Sequence, residues 1–80
     1  MYPNGSQIRA ARALLNMSRD ELAARAGVSA RTIDNLEGET RKPIQATQNA
    51  VLGALLGAGV DFDPGDPETG RGPGVYLRRR

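Results

Sequence analysis

The sequence predicts an all-α fold, a compact bundle of four or five helices, followed by a C-terminal β-hairpin or an extended tail. Two observations carry this prediction. Apolar residues recur at helical spacing in four consecutive segments. After Gly59 the composition changes to alternating apolar residues and turn-forming Pro, Gly and Asp. We therefore divide the chain into a helical domain, residues 1–59, and a hairpin-like tail, residues 60–80.

Capping residues and periodicity define the first two predicted helices. Ser6 is the expected N-cap of a helix from Gln7 to Leu15, because a serine hydroxyl can accept a free N–H at a helix start. Ser18 and Glu21 have the spacing of a capping box and mark the start of the second helix. Gly27 is predicted to end that helix, since glycine adopts positive φ without strain.

The third and fourth helices follow from the same signals. Ser29 is the next N-cap and predicts a helix from Ala30 to Glu37, ended by Gly38. Only one residue separates Gly27 from Ser29, so the second and third helices must cross steeply. The Ala- and Leu-rich stretch from Ile44 to Ala58 predicts the fourth helix.

The tail has the alternation of two short strands. The residues from Val60 to Asp63 and from Gly74 to Arg78 are separated by a connector rich in Gly, Pro and Asp. We interpret this pattern as a β-hairpin, with a disordered tail as the alternative, because the connector is long and prolines confine the strands. The prolines are Pro64, Pro67 and Pro73.

The composition excludes most enzyme chemistry. The 80 residues include no Cys and no His, which removes thiol nucleophiles, imidazole bases, disulfides and the usual zinc ligands. Five acidic residues lie among helical residues without a pocket-forming loop, and we interpret them as surface charge; they are Asp20, Glu21, Asp34, Glu37 and Glu39. We expect no catalytic residues, no metal and no cofactor.

Net charge and hydropathy limit where the protein can act and what it can bind. A net charge of +2 permits nucleic-acid binding without arguing for it. The N-terminus lacks the pattern of a signal peptide, and the apolar stretch 50–60 is too short to cross a membrane. We expect a cytoplasmic protein with no membrane contact. A chain this short has a marginal core, so a partner subunit would help to stabilise it.

A short helix, a tight glycine turn and a second capped helix form the helix-turn-helix pattern over residues 18–37, with the recognition helix beginning near Ala30. Residues 17–37 read MSRDELAARAGVSARTIDNLE. The segment closely resembles the Cro and phage-repressor type, or XRE, helix-turn-helix family through its matches to L-A-x-x-x-G-V-S-x-x-T-I-x-x-L-E. The resemblance covers residues 7 to about 58.

The resemblance implies a dimeric bacterial regulator that binds two-fold symmetric operators in double-stranded DNA. It divides the candidate residues by role. The positions expected to contact bases are Ala30, Arg31, Thr32 and Asn35, and those expected to contact the DNA backbone are Arg19, Ser29, Arg41 and Lys42. The resemblance also implies a structural ion pair between Arg12 and Glu37, without a role in recognition.

Arg31 is the first candidate for reading a base. Its guanidinium can bond guanine O6 and N7 together, whereas the amide of Asn35 suits adenine. Thr32 and Ser29 reach a phosphate or a thymine methyl more easily. An ordinary solvated helix face is the alternative for these positions, and a solvated charge pair is the alternative for Arg41 and Lys42.

The chain departs from the family pattern in its fourth helix. Gln48 stands where a leucine is common, and Leu52 and Leu56 add a second apolar row. We hypothesise that these leucines meet the tail or a second subunit, with simple intrachain core as an equal alternative. The tail residues concerned are Val60, Phe62, Val75 and Leu77.

The tail resembles one attached to many small bacterial regulators of the family, through the segments 59–62 and 71–77. Two uses can be proposed for it. A strand edge from Gly74 to Leu77 could pair with a second copy or with another protein, or the arginines 78–80 could reach DNA. We favour pairing.

The sequence thus favours a helix-turn-helix transcriptional regulator, more readily a repressor because the chain has little room for a sensor or an activation domain. The alternative is a protein-interaction module such as an antitoxin or an antiactivator, acting through the fourth helix and the tail. DNA binding could accompany that second function. An enzyme is a distant third.

Overall fold

A computed structural model describes residues 2–78 of the chain. Four helices are followed by a two-stranded antiparallel hairpin, which confirms the helical bundle and the hairpin, with no fifth helix in the described part of the chain. The elements are α1 Gly5–Leu15, α2 Arg19–Ala26, α3 Ala30–Gly38, α4 Gln45–Gly57, β1 Val60–Asp63 and β2 Gly74–Leu77. None of the helices among these residues has the length and apolar character needed to cross a membrane.

Helix α1 begins earlier than the sequence predicted. Its N-cap is Asn4, not Ser6, and Ser6 lies inside the helix. Asn4 Oδ1 accepts the N–H of Gln7 at 2.8 Å, and the side chain of Gln7 accepts the N–H of Asn4 at 2.9 Å. The reciprocal pair satisfies two main-chain donors, whereas a lone serine cap would satisfy one, so the earlier start is favoured.

The local signals at α2 and α3 are confirmed. Ser18 and Glu21 form the reciprocal capping box, with both hydrogen bonds 3.0 Å long. Gly27 ends α2 at φ 73°, and Ser29 Oγ accepts the N–H of Thr32 at 3.1 Å.

The end of α3 differs from the prediction by one residue. Gly38 remains helical, and Glu39 adopts the left-handed conformation at φ 54°. The carboxylate of Glu39 accepts the N–H of Gly5 at 3.0 Å, which ties this turn to the start of α1. A contact between residues 34 positions apart thus places the turn at a glutamate although a glycine was available.

One hydrophobic core joins the helices and the first strand. Its buried members come from α1, the α1–α2 connection, α2, α3, α4 and β1, so the hairpin contributes to the same core as the helices. They are Ile8, Ala11, Met17, Leu22, Ala23, Ile33, Leu36, Val51, Leu55 and Val60.

The hairpin is attached to α1 by a buried side chain. Strands β1 and β2 pair antiparallel with Val60 opposite Leu77 and Asp63 opposite Gly74. The side-chain amide of Gln7 donates to the carbonyl oxygens of both Asp63 and Gly74, each at 3.0 Å. Gln7 is buried, and these bonds therefore fix the turn end of the hairpin against the first helix.

The extra leucines of α4 lie beside the hairpin. Leu52 and Leu56 are partly buried and line a surface groove together with Phe62. Phe62 and Val75 also pack against the core, whereas Leu77 is half-exposed. Of the four tail residues that the sequence singled out, Phe62 is thus the one that lines the same groove as these leucines.

Candidate nucleic-acid interface

Helices α2 and α3 are joined by a turn of three residues. The N–H of Val28 donates to the carbonyl oxygen of Ala23 at 3.0 Å, which continues the hydrogen bonding of α2 around Gly27. Ile33 and Leu36 bury the inner side of α3, and Arg31 and Asp34 are exposed on its outer side. We call Arg31 and Asp34 the outer ridge of α3.

A shallow groove runs along one side of the outer ridge. It lies between α3, the following loop and the start of α4, and we call it the α4-side groove. The structure brings together here four of the residues that the sequence singled out, from both the base-contacting and the backbone-contacting sets. The groove is lined by Thr32, Asn35, Arg41, Lys42, Ile44 and Thr47, with Leu36 and Pro43 behind them.

Three hydroxyls are already engaged in hydrogen bonds near this groove. The Ser29 and Thr32 hydroxyls are 2.9 Å apart. Thr40 Oγ1 donates to Asn35 Oδ1 at 3.1 Å, so the carbonyl side of the Asn35 amide is held while its NH₂ group can still donate elsewhere. This bond fixes the orientation of the side chain expected to face adenine.

Sequence reasoning missed Ile44. Its side chain is 72% exposed beside Lys42, although it is among the large apolar residues of the chain. The missed signal was its position: Ile44 is the N-cap of α4 and makes no side-chain capping bond. The Ile44 side chain is exposed because α4, which begins after it, does not cover it.

A second hollow lies on the other side of the outer ridge, and we call it the α2-side hollow. It is lined by Arg12, Ser18, Arg19, Asp20, Ala30 and Asp34. Arg19 opens α2 and crosses to α3, where its Nε lies 3.1 Å from Asp34 Oδ1 and 3.4 Å from Glu37 Oε1. The structure thus places Arg19 in an ion-pair network and not as a free cation.

The structure pairs Arg12 with Glu37 through two hydrogen bonds. Arg12 Nε lies 2.5 Å from Glu37 Oε2, and Nη2 lies 2.9 Å from Oε1. The Glu37 side chain is only 3% exposed. The hydrogen bond to Glu37 raises the pKa of Arg12 above its ordinary value, more than partial burial lowers it.

Helix α1 holds the C-terminal half of α3 in place. Arg9 Nη1 donates to the carbonyl oxygen of Glu37 at 2.9 Å. Gly5 lies so close to the end of α3 that an added Cβ would overlap the carbonyl groups of Leu36 and Glu37. These contacts set the orientation of the outer ridge relative to the rest of the bundle.

Three exposed cations surround the α4-side groove and the outer ridge. Within residues 2–78, Arg31, Arg41 and Lys42 make no ion pair. Arg78, at the far end of the chain, is bound to the Asp61 carboxylate at 3.2 Å and to the carbonyl oxygen of Leu56. The residues 79 and 80, expected to extend the basic tail, lie outside the described residues.

Two short helices, a glycine turn and an exposed polar ridge on the second helix define a helix-turn-helix domain. Residues 8–43 match the model of the family described as Helix-turn-helix, and the chain carries such a domain of the XRE type. The matched segment extends from α1 to the loop after α3, and α4 and the hairpin lie beyond it. A comparison with curated proteins found no significant match.

Proposed function

We propose that the protein is a sequence-specific transcriptional repressor that binds a two-fold symmetric operator as a dimer. The helix-turn-helix match supports a DNA-binding regulator. One observation carries the finer proposal: α3 presents Arg31 on its outer ridge, Arg41 and Lys42 line the adjacent groove, and none of the three forms an ion pair within residues 2–78. A base-reading group and phosphate-binding groups thus lie on one face of the molecule.

Base reading is assigned to the first half of α3. Arg31 lies in the first turn, the part of a recognition helix that reaches base edges, and its guanidinium matches the two acceptors of guanine. Asn35 lies one turn further along, with an NH₂ group that can donate to a base. Ala30 and Thr32 flank Arg31 and offer methyl groups to thymine.

Contacts with the DNA backbone are assigned to residues on both sides of the outer ridge. Arg41 and Lys42 would bind phosphates beside the α4-side groove, and Arg19 and Ser29 would do so beside α2. Such contacts position the protein without reading sequence, and they make binding salt-dependent.

Dimerisation is assigned to apolar surface that the single chain leaves uncovered. Tyr76 and Leu77 of β2 are about half-exposed, and Leu52 and Leu56 line an open groove. The edge of β2 can add a strand from a second copy. In this proposal residues 1–59 bind DNA, residues 60–80 support association, and the protein acts in the cytoplasm of a bacterium.

Fluorescence-anisotropy titration tests the proposal. A pool of random 30-base-pair duplexes is first enriched for bound sequences, and the enriched duplex is then titrated in a salt series with random competitor DNA. Saturable binding of two chains to a symmetric site that survives competitor is the expected result. Weak binding that salt abolishes for every duplex would contradict the proposal and favour a protein-interaction module that uses Tyr76 and Leu77.

A further inference from the structure

Asp34 has no role in the assignments above, yet it is one of the two residues of the outer ridge. Its side chain is 54% exposed, and its carboxylate lies 3.1 Å from Nε of Arg19. Arg19 is 53% exposed and also approaches Glu37 at 3.4 Å. A negative charge therefore lies on the face proposed to meet DNA, held by a cation proposed to bind phosphate.

The pair with Asp34 contributes little to folding. Ion pairs between exposed side chains gain little because water and salt screen them. The buried carboxylate of the network, Glu37, is already bound at two points by Arg12 and does not depend on Asp34. Core packing does not explain the presence of an acidic residue at position 34 either, because Ile33 and Leu36 cover the inner side of α3.

The charge of Asp34 has a direct consequence for DNA binding. A phosphate that binds Arg19 must displace the Asp34 carboxylate or share the guanidinium with it. Sharing places two negative groups within a few ångströms of each other, which is unfavourable. Every duplex, whatever its sequence, carries this cost.

We propose that Asp34 limits the strength of sequence-independent DNA binding, because its carboxylate competes with a DNA phosphate for Arg19. Discrimination is then left to groups that touch bases, chiefly Arg31. This inference rests on the proposed DNA-binding function, and it adds to that function a residue that lowers affinity for DNA of every sequence.

The first test uses Asp34→Asn, which keeps the shape of the side chain and removes its charge. Affinity for random duplex DNA is measured by anisotropy from low to moderate salt. We expect binding that is about twofold to fivefold tighter at low salt, the range that a screened ion pair corresponds to. The slope of log affinity against log salt should steepen by about 0.9, the value for one further phosphate contact.

A double-mutant cycle assigns the effect to Arg19. Arg19→Gln and the double variant with Asp34→Asn are titrated under the same conditions. The proposal requires the gain from Asp34→Asn to disappear when Arg19 is absent. A gain of equal size in the Arg19→Gln background would overturn it.

A matched control separates the local effect from net charge. Glu68→Gln removes the same charge from an exposed position in the hairpin connector. An equal gain from Glu68→Gln would overturn the inference, since any lost negative charge would then suffice. If Asp34→Asn loses helical circular dichroism, Asp34→Ser replaces it in the cycle.

The selection experiment separates failure of the inference from failure of the proposed function. Wild type and Asp34→Asn are enriched in parallel on random duplexes. The variant is expected to select the same motif and to bind both the motif and random DNA more tightly, with an unchanged preference between them. Enrichment of no motif by wild type would contradict DNA recognition itself, whereas a variant that binds the motif and random DNA no more tightly than wild type would overturn only the role of Asp34.

Discussion

Arg12 in α1 and Glu37 in α3 form a two-point ion pair in which Nε and Nη2 each bind one carboxylate oxygen, at 2.5 and 2.9 Å. The guanidinium also donates to the carbonyl oxygen of Met17 at 3.2 Å, in the connection before α2. One side chain thus joins α1, the connection before α2, and α3. Removal of either charge would leave the other largely buried.

We expect Arg12→Met to lower the free energy of unfolding by about 3 to 5 kcal/mol, the usual cost of breaking a buried pair by removing one partner. Urea unfolding followed by circular dichroism measures the loss. Arg25→Met, at an exposed position of α2, is the control and should change stability by less than about 0.5 kcal/mol. A loss below about 1 kcal/mol for Arg12→Met would show that Arg19 alone can hold Glu37.

Glycines 5 and 53 should respond oppositely to alanine. At Gly5 the new methyl group meets main-chain atoms of α3, so we expect a loss of about 1 to 3 kcal/mol from overpacking. At Gly53, inside α4, an added Cβ meets nothing within 4 Å, and alanine should gain about 0.5 to 1 kcal/mol. Thermal unfolding of both variants is the measurement, and a neutral Gly5→Ala would contradict the close approach of α1 and α3.

Gln7 should control the attachment of the hairpin. Gln7→Ala leaves the carbonyl oxygens of Asp63 and Gly74 without this donor, at a cost of about 1 to 3 kcal/mol. Relative to wild type, amide hydrogen exchange in Gln7→Ala should accelerate more in the hairpin than in α2 and α3. Gln45→Ala is the control, because its exposed amide makes one long bond, to Asn49 at 3.4 Å, among the residues that the structure describes. Equal protection of the hairpin amides in wild type and Gln7→Ala would contradict the attachment of the hairpin by Gln7.

Tyr2 carries a buried hydroxyl with no hydrogen-bond partner among residues 2–78. Tyr2→Phe should therefore raise the free energy of unfolding by about 1 kcal/mol, because it removes an unsatisfied group. Chemical denaturation at pH 7 measures the change. A destabilised Tyr2→Phe would indicate that the hydroxyl has a partner in solution.

The same residue predicts a dependence of stability on pH. Burial raises the pKa of Tyr2 from 10.0 to about 12. Since the folded state holds the proton more tightly, the stabilisation from neutral Tyr2 is complete below pH 10 and is lost as the pH rises from 10 through about 12. The difference in stability between wild type and Tyr2→Phe should therefore grow over that interval, and a constant difference would contradict the burial of the phenol.

Alanine substitutions of Arg31 and Lys42 should impair DNA binding in different ways if both residues bind DNA as proposed. Arg31→Ala should reduce discrimination at one position of each half-site by about 1 to 3 kcal/mol, because a bidentate base contact is lost. Lys42→Ala should weaken all sequences alike and reduce the salt slope by about 1. Competition titrations with single-base variants of the selected site measure both. Equal losses on the selected site and on random DNA for Arg31→Ala would contradict its assignment.

Most of the fold was predictable because its signals are local. The caps at Ser18 and Ser29 and the turn at Gly27 depend on hydrogen bonds between residues at most five positions apart, which sequence spacing shows directly. The cap of α1 was also local but was assigned to Ser6, since the reciprocal pairing of Asn4 with Gln7 was overlooked.

The sequence by itself determined the four helices, the two strands and the polar outward face of α3, because periodicity and capping chemistry act over a few residues. The tertiary structure alone decided that Gln7 clamps the hairpin, that Glu39 ends α3 and that Asp34 is held by Arg19. Each of these contacts joins residues at least 15 positions apart in the chain. Their partners are chosen by how the helices pack, and no local spacing records that choice.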